Sequence, residues 1–100
     1  PSNDLQLSAI GFDIQDVSTN TAFLRLRLVL RPYDAGDYPT SWIAGQQAVD
    51  QHVCVVEVPI ADVYQLTFPD KRQRVKINLD RVVPVPRGMM VLAEVTALQA

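Results

Sequence analysis

The stretch AFLRLRLVLR, residues 22–31, decides the fold class of this chain. Leucine occupies each even position from 24 to 30, while arginine occupies positions 25, 27 and 31. Successive side chains of a β-strand point to opposite faces, so this alternation puts leucine on one face and arginine on the other. A helix would spread the same leucines around its whole surface, although both residue types have good helix propensity. The period of two therefore predicts a strand with an apolar inner face and a basic outer face.

Further strands follow from the same kind of pattern. Val75, Ile77 and Leu79 alternate with polar residues, and residues 89–98 form a final strand. Residues 63–68 are interpreted as the hairpin partner of the strand that contains Val75, with a turn at 69–72. Residues 53–58 are almost continuously apolar, which is typical of a strand buried on both faces, and Pro59 ends that strand or puts it at an edge.

The first strand changes phase along its length. Apolar residues stand at odd positions up to Ala9 and at even positions from Ile10 onward. A bulge or bend near Gly11 accounts for this change and would let the strand pass from one sheet to another.

Together these strands predict an all-β fold. The expected architecture is a two-sheet antiparallel β-sandwich of about seven strands, with a small β-barrel as the alternative. The phase change and the prolines favour the sandwich, because they mark places where strands end or change sheet. Helix is confined to a short turn in residues 41–49, and residues 1–100 are interpreted as a single domain.

Composition narrows the classes of function. The net charge is -2 and the isoelectric point is near 5.1, which argues against a nonspecific nucleic-acid binder. Apolar residues make up 48% of the chain, which argues against disorder. No apolar run approaches the ~18 residues of a membrane span. The sequence leaves localisation open.

Catalytic and metal-binding patterns are weak. His52 and Cys54 are two residues apart, so on a regular strand they share a face, but Cys54 lies among valines and free cysteine is commonly a small buried hydrophobe. Asp34 with Asp37 form an Asp-x-x-Asp spacing that is more typical of turns than of carboxylate catalysis. We therefore predict no enzyme activity, no cofactor and no metal site.

An aromatic segment follows the leucine–arginine strand. RPYDAGDYPTSW, residues 31–42, contains two of the three tyrosines and the single tryptophan. Aromatic loops on β scaffolds bind partners through large, rigid, amphipathic side chains, whereas the competing interpretation is that the aromatics pack on the end of the core. We expect Trp42 to contact the core edge. The predicted partner-binding residues are Tyr33, Asp34, Asp37, Tyr38 and Trp42.

Basic residues suggest an alternative. If the strands that carry them are neighbours, their guanidinium and ammonium groups form one surface able to contact phosphates. The competing interpretation is a solvated sheet face with acidic partners. The residues of this nucleic-acid hypothesis are Arg25, Arg27, Arg31, Arg72, Arg74 and Lys76.

The sequence thus favours a non-catalytic protein–protein interaction or assembly module, as a domain of a larger complex or as a homo-oligomer through an edge strand. Nucleic-acid binding through the Arg/Lys-rich face is the alternative. A third hypothesis is carbohydrate binding or weak hydrolase activity centred on residues 33–42. No family resemblance is identified, and the single cysteine excludes the Cys–Trp–Cys spacing of immunoglobulin domains.

Overall fold

The computed structural model describes residues 5–33, 50–67 and 70–99. This part of the chain is built almost wholly from strands, so the all-β prediction is confirmed. The predicted turn at residues 41–49 lies outside the described residues. The elements are β1 (Leu5–Ile14), β2 (Thr21–Pro32), β3 (Gln51–Pro59), a 3-10 helix (Ile60–Asp62), β4 (Gln73–Val85) and β5 (Met89–Gln99).

The strands form two antiparallel sheets. β1 pairs with β4, and a three-stranded sheet has the order β3-β2-β5. The chain changes sheet between β1 and β2, between β3 and β4, and between β4 and β5. The arrangement is not a closed barrel, and the described residues contain five strands where about seven were predicted.

The core lies between the two sheets. Leu24, Leu26 and Leu28 of β2 are buried in one cluster with Val75 and Ile77 of β4. Removing each such side chain from water contributes roughly 1.5–3 kcal/mol. The alternation in residues 22–31 therefore predicted the inner face of the central strand correctly.

The strand predicted at residues 63–68 is wrong over the part that the structure describes. The Ile60 carbonyl accepts hydrogen bonds from the backbone N–H groups of Val63 (3.1 Å) and Tyr64 (2.9 Å). This tight turn follows Pro59 and turns Tyr64 into the core, where it packs beside Ile60. Local turn closure thus replaces strand pairing, and Phe68 lies outside the described residues.

The Gln73 side chain joins the start of β4 to the segment that was predicted to be its hairpin partner. Its Oε1 accepts from the Gln65 N–H at 2.9 Å, and its Nε2 donates to the Gln65 carbonyl at 3.0 Å. A side-chain amide has one acceptor and donors in the same plane, so it can imitate a paired peptide group. The start of β4 is therefore fixed to the preceding segment without a second strand.

The phase change of β1 has a different position and cause from those predicted. Leu7 pairs with Val83, but Ala9 pairs with Asn78, so Ser8 faces the whole segment 79–82 of β4. β1 pairs with β4 on both sides of this irregularity. The strand stays in one sheet, and the extra residues belong to its partner rather than to Gly11.

The expectation that residues 53–58 are buried on both faces is also wrong. Among the described residues β3 is an edge strand, and Val55, which faces Arg27, is 54% exposed. Valines on the outer face of an edge strand can be solvated, so a continuous apolar run does not by itself distinguish an edge from a centre. Pro59 does end the strand, as predicted.

Candidate functional site

Tyr33 is the predicted partner-binding residue that the structure describes. It follows the end of β2, is 56% exposed, and donates its backbone N–H to the Gly88 carbonyl at 2.9 Å. This bond joins the exit of β2 to the turn that precedes β5. Asp34, Asp37, Tyr38 and Trp42 lie outside the described residues, so their predicted roles stay predictions.

Arg31 occupies a different environment from the one predicted. Its Nε donates to Asp50 Oδ1 at 2.6 Å and its Nη2 to Asp50 Oδ2 at 2.8 Å. The two side chains are 0% and 1% exposed. This is a buried, two-point ion pair between the end of β2 and the residue before β3. The interpretation of Arg31 as an exposed phosphate contact is therefore wrong.

The cause is the burial of one end of the outer sheet face. Val29 pairs with Leu92 on the side of the sheet opposite the leucine core, and these two residues form a second buried cluster with Met90. Arg31 pairs with Met90 on that same side. A sequence signal was present, because Leu28-Val29-Leu30 interrupts the alternation with three consecutive apolar residues.

The remaining arginines of β2 are exposed in part and paired. Arg25 contacts Glu57 of β3 at 2.8 Å, and Arg27 contacts Glu94 of β5 at 3.0 Å. In both cases the two residues are direct cross-strand neighbours. Opposite charges at such positions stabilise a sheet modestly. At this end, the outer face of β2 is thus solvated and its arginines have acidic partners. This agrees with the interpretation that was the competitor of the nucleic-acid hypothesis.

The basic residues of β4 lie on another surface. Arg74 pairs with Asp13 at 3.3 Å, and Lys76 and Arg72 are exposed. Because β2 and β4 face each other across the core, their outward side chains point away from each other. The condition for a single Arg/Lys surface, that these strands are neighbours in one sheet, is not met.

His52 and Cys54 do not share a face. Cys54 pairs with Leu28 and His52 with the next residue, Val29, because β3 has a bulge at Val53. Neighbouring residues of β2 point to opposite sides, and so do their partners. Burial, reinforced by Asp80, raises the pKa of the Cys54 thiol, and Arg81 opposes this in part. The pair therefore lacks the thiolate–imidazole contact that a nucleophile requires.

No other chemical centre is found within the described ranges. They contain no group of three or more histidine, cysteine, aspartate or glutamate side chains able to hold a metal ion, and no cavity. No helix there has the length and apolar character needed to cross a membrane.

The edge of β5 is a feature that the sequence analysis did not single out as a site. One side of β5 pairs with β2, and within the described residues no strand pairs with the other side. Its sequence, MMVLAEVTALQ, contains one charged residue, Glu94, and neither proline nor glycine. Val95 faces Leu26 on the core side of the sheet, yet it is 38% exposed. We call the unpaired side of Met89–Gln99 the β5 edge.

The other outer strands carry features that discourage pairing with a further strand. Bulges, prolines and inserted charges are the common devices. In β3, the carbonyl of the bulge residue Val53 accepts from the Arg81 guanidinium, and the strand ends at Pro59. The β1–β4 sheet has the irregular segment 79–82 and Pro84. By contrast, the shift between β2 and β5 skips Ala22 of β2, so β5 itself is uninterrupted.

Comparison with known proteins finds no matching family model, no matching curated protein and no matching solved structure.

Proposed function

We propose that this chain is a non-catalytic protein–protein interaction or assembly module that binds its partner by strand addition at the β5 edge. The observation that carries the proposal is an eleven-residue edge strand with one charge and no bulge, proline or glycine. Such an edge presents a row of backbone donors and acceptors to an incoming strand.

Side chains on the β5 edge supply apolar contact as well. Val95 and its neighbours two residues away, Ala93 and Ala97, point to the core side of the sheet and are exposed. A strand placed beside β5 would cover them and extend the apolar face of the sheet. Main-chain hydrogen bonds would then provide affinity, and alternate side chains would provide selectivity.

Tyr33, the described member of the predicted partner-binding residues, lies near the start of this edge. Tyr33 bonds to Gly88, one residue before β5 begins, and Pro32 pairs with Met89. A partner strand that reaches the start of β5 would therefore come near the exposed Tyr33 ring. This proximity supports a role for Tyr33 in partner selection.

The other two hypotheses have less support. The nucleic-acid hypothesis loses its shared surface, since Arg25 and Arg74 belong to opposing sheets. The carbohydrate or hydrolase hypothesis depends on Asp34, Asp37 and the neighbouring aromatics, which lie outside the described residues. Neither is favoured by a specific contact.

Selection of short randomised peptides against the immobilised domain tests the proposal. Selected peptides should protect the backbone amides of β5 from hydrogen exchange, because a bound strand occupies the groups that point outward. Peptides that protect another strand instead, or a selection that yields none, would contradict strand addition at β5.

A matched pair of lysine variants provides the control. Val95→Lys introduces a charge on the β5 edge and should abolish peptide binding, since lysine on an edge strand discourages pairing with a further strand. Val55→Lys makes the same change on the edge strand β3 at a more exposed valine and should leave binding intact. Equal loss in both variants would show that the β5 edge is not the specific surface.

A further inference from the structure

We infer that the strand added to the β5 edge is β5 of a second copy of this chain, antiparallel to the first, with the two-fold axis at Val95. This inference rests on the proposed function and names the partner. The resulting dimer would join two three-stranded sheets into one continuous sheet, through an interface in which the same surface of each copy contacts the other.

The sequence of β5 is self-complementary in this register. Val95 faces Val95 of the second copy, and Ala93 faces Ala97. Leu92 faces Leu98 in the same way. Valine thus lies opposite valine, alanine opposite alanine and leucine opposite leucine, which favours close cross-strand packing.

The single charge of β5, on Glu94, limits the registers in which two copies can pair. With the axis at Glu94, the two carboxylates would lie directly opposite each other, and like charges at such positions are destabilising. With the axis at Val95, each Glu94 faces Thr96 of the second copy. Glu94 is also held by Arg27 of its own chain at 3.0 Å, which offsets its charge. An axis at Val95 or at Ala93 pairs nine residues of this strand without a carboxylate pair, but the Ala93 axis would place Glu94 opposite the apolar Leu92, so the Val95 register is favoured.

The exposed core-side face of β5 explains why a second copy fits. The side chains of Ala93, Val95 and Ala97 point to the same side as the buried Leu24, Leu26 and Leu28 of β2. Pairing of two copies brings both sets of exposed residues together beside the existing cores. The gain from covering them adds to the backbone hydrogen bonds along the seam.

Sedimentation over a concentration series, from micromolar to millimolar, measures the association. The wild-type chain should pass from monomer to dimer, Val95→Lys should stay monomeric, and Val55→Lys should dimerise like the wild type. A wild-type chain that is monomeric throughout, or a Val95→Lys chain that still dimerises, would overturn the inference. If peptide binding at β5 persists in a strictly monomeric chain, strand addition stands and the second copy is the wrong partner.

Opposite charges at one position test the register. Thr96→Lys places a cation opposite Glu94 of the second copy and should tighten the dimer about two- to fivefold per pair. Thr96→Glu places a carboxylate there and should weaken it by a similar factor.

These two changes should affect the stability of the folded monomer in the opposite order to their effect on dimer affinity, which provides an internal control. Thr96 faces Arg25 within the same chain, so the introduced glutamate favours the folded monomer and the introduced lysine disfavours it. If dimerisation merely followed fold stability, Thr96→Glu would give the tighter dimer. That order, or equal dimer affinities for the two variants, would overturn the proposed register.

Discussion

Arg31 and Asp50 are joined by two hydrogen bonds, of 2.6 and 2.8 Å, in a pair that solvent does not reach. Arg31 lies near the end of β2 and Asp50 directly precedes β3, so the pair fastens the two ends of the long connection between these strands. A planar guanidinium matches a carboxylate in two places, which fixes orientation as well as distance. The pair therefore fixes the end of β2 relative to the start of β3.

Breaking this pair should destabilise the protein strongly. Arg31→Met removes the guanidinium that donates two hydrogen bonds to the buried Asp50 carboxylate, and Asp50→Asn removes the negative charge that faces the buried guanidinium. Each single change is expected to lower the free energy of unfolding by about 3–5 kcal/mol, as measured by urea denaturation followed by circular dichroism. The double variant Arg31→Met/Asp50→Leu should recover much of the loss, because no charge then remains buried. Single variants within about 1 kcal/mol of the wild type would contradict a desolvated pair.

The Gln73 side chain should contribute measurably to the order of the segment before β4. Gln73→Ala removes both hydrogen bonds to Gln65, at a cost of about 1–2 kcal/mol in the free energy of unfolding. Hydrogen exchange at the Gln65 amide should accelerate at the same time. Gln73→Glu keeps the acceptor but loses the donor, so it should fall between alanine and the wild type. An unchanged exchange rate in Gln73→Ala would refute the strand-like role of this side chain.

Gly88 should resist replacement for reasons of backbone conformation alone. Its φ is +87°, and a Cβ at this position would meet no atom within 4 Å. Gly88→Ala is therefore expected to cost about 1–2 kcal/mol, the penalty of a left-handed conformation for an ordinary residue. Gly88→Asn should cost less, because asparagine tolerates this region better. Thermal denaturation of the two variants provides the comparison, and the reverse order would argue against this explanation.

Cys54 should make stability fall at alkaline pH. Burial and Asp80 raise the pKa of its thiol in the folded chain, so the folded state holds this proton more tightly than the unfolded state. The corresponding stability is fully present below the ordinary pKa of a free thiol and is lost as pH rises above it. The difference in free energy of unfolding between the wild type and Cys54→Ala, measured across this range, isolates the effect. A difference that grows in favour of the wild type with rising pH would contradict the raised pKa.

The sequence predicted the fold well wherever periodicity alone determined a strand. Residues 22–31 gave the inner face of β2, and residues 89–98 gave almost all of β5, which ends at Gln99. The segment at 63–67 escaped prediction, because its backbone is satisfied by a local turn and by the Gln73 side chain. The exposure of Val55 was not predicted either, since an apolar run does not reveal which strand lies at an edge.

The site could be predicted only in part, because the sequence does not show which strands pair with each other. The exposure of Tyr33 agrees with its predicted role, but the burial of Arg31 depends on Asp50, far enough along the chain that no local pattern joins them. Likewise, His52 and Cys54 share a face in any regular strand, and a bulge at Val53 separates them. The β5 edge becomes visible only when the sheet order β3-β2-β5 is known.

The sheet order also sets when this protein can fold. The central strand β2 pairs with β5, so Thr21 must find Gln99, and β1 must find β4 across the intervening β2 and β3. When strands so distant along the chain pair, the entropy of loop closure is lost before any stabilising contact forms. Folding is therefore expected to take roughly milliseconds to seconds. On a ribosome, β2 would emerge long before β5, and the backbone edge of β2 that pairs with β5 would stay unpaired until then. The central strand of the finished structure is thus completed only when β5, the last strand in chain order, is available.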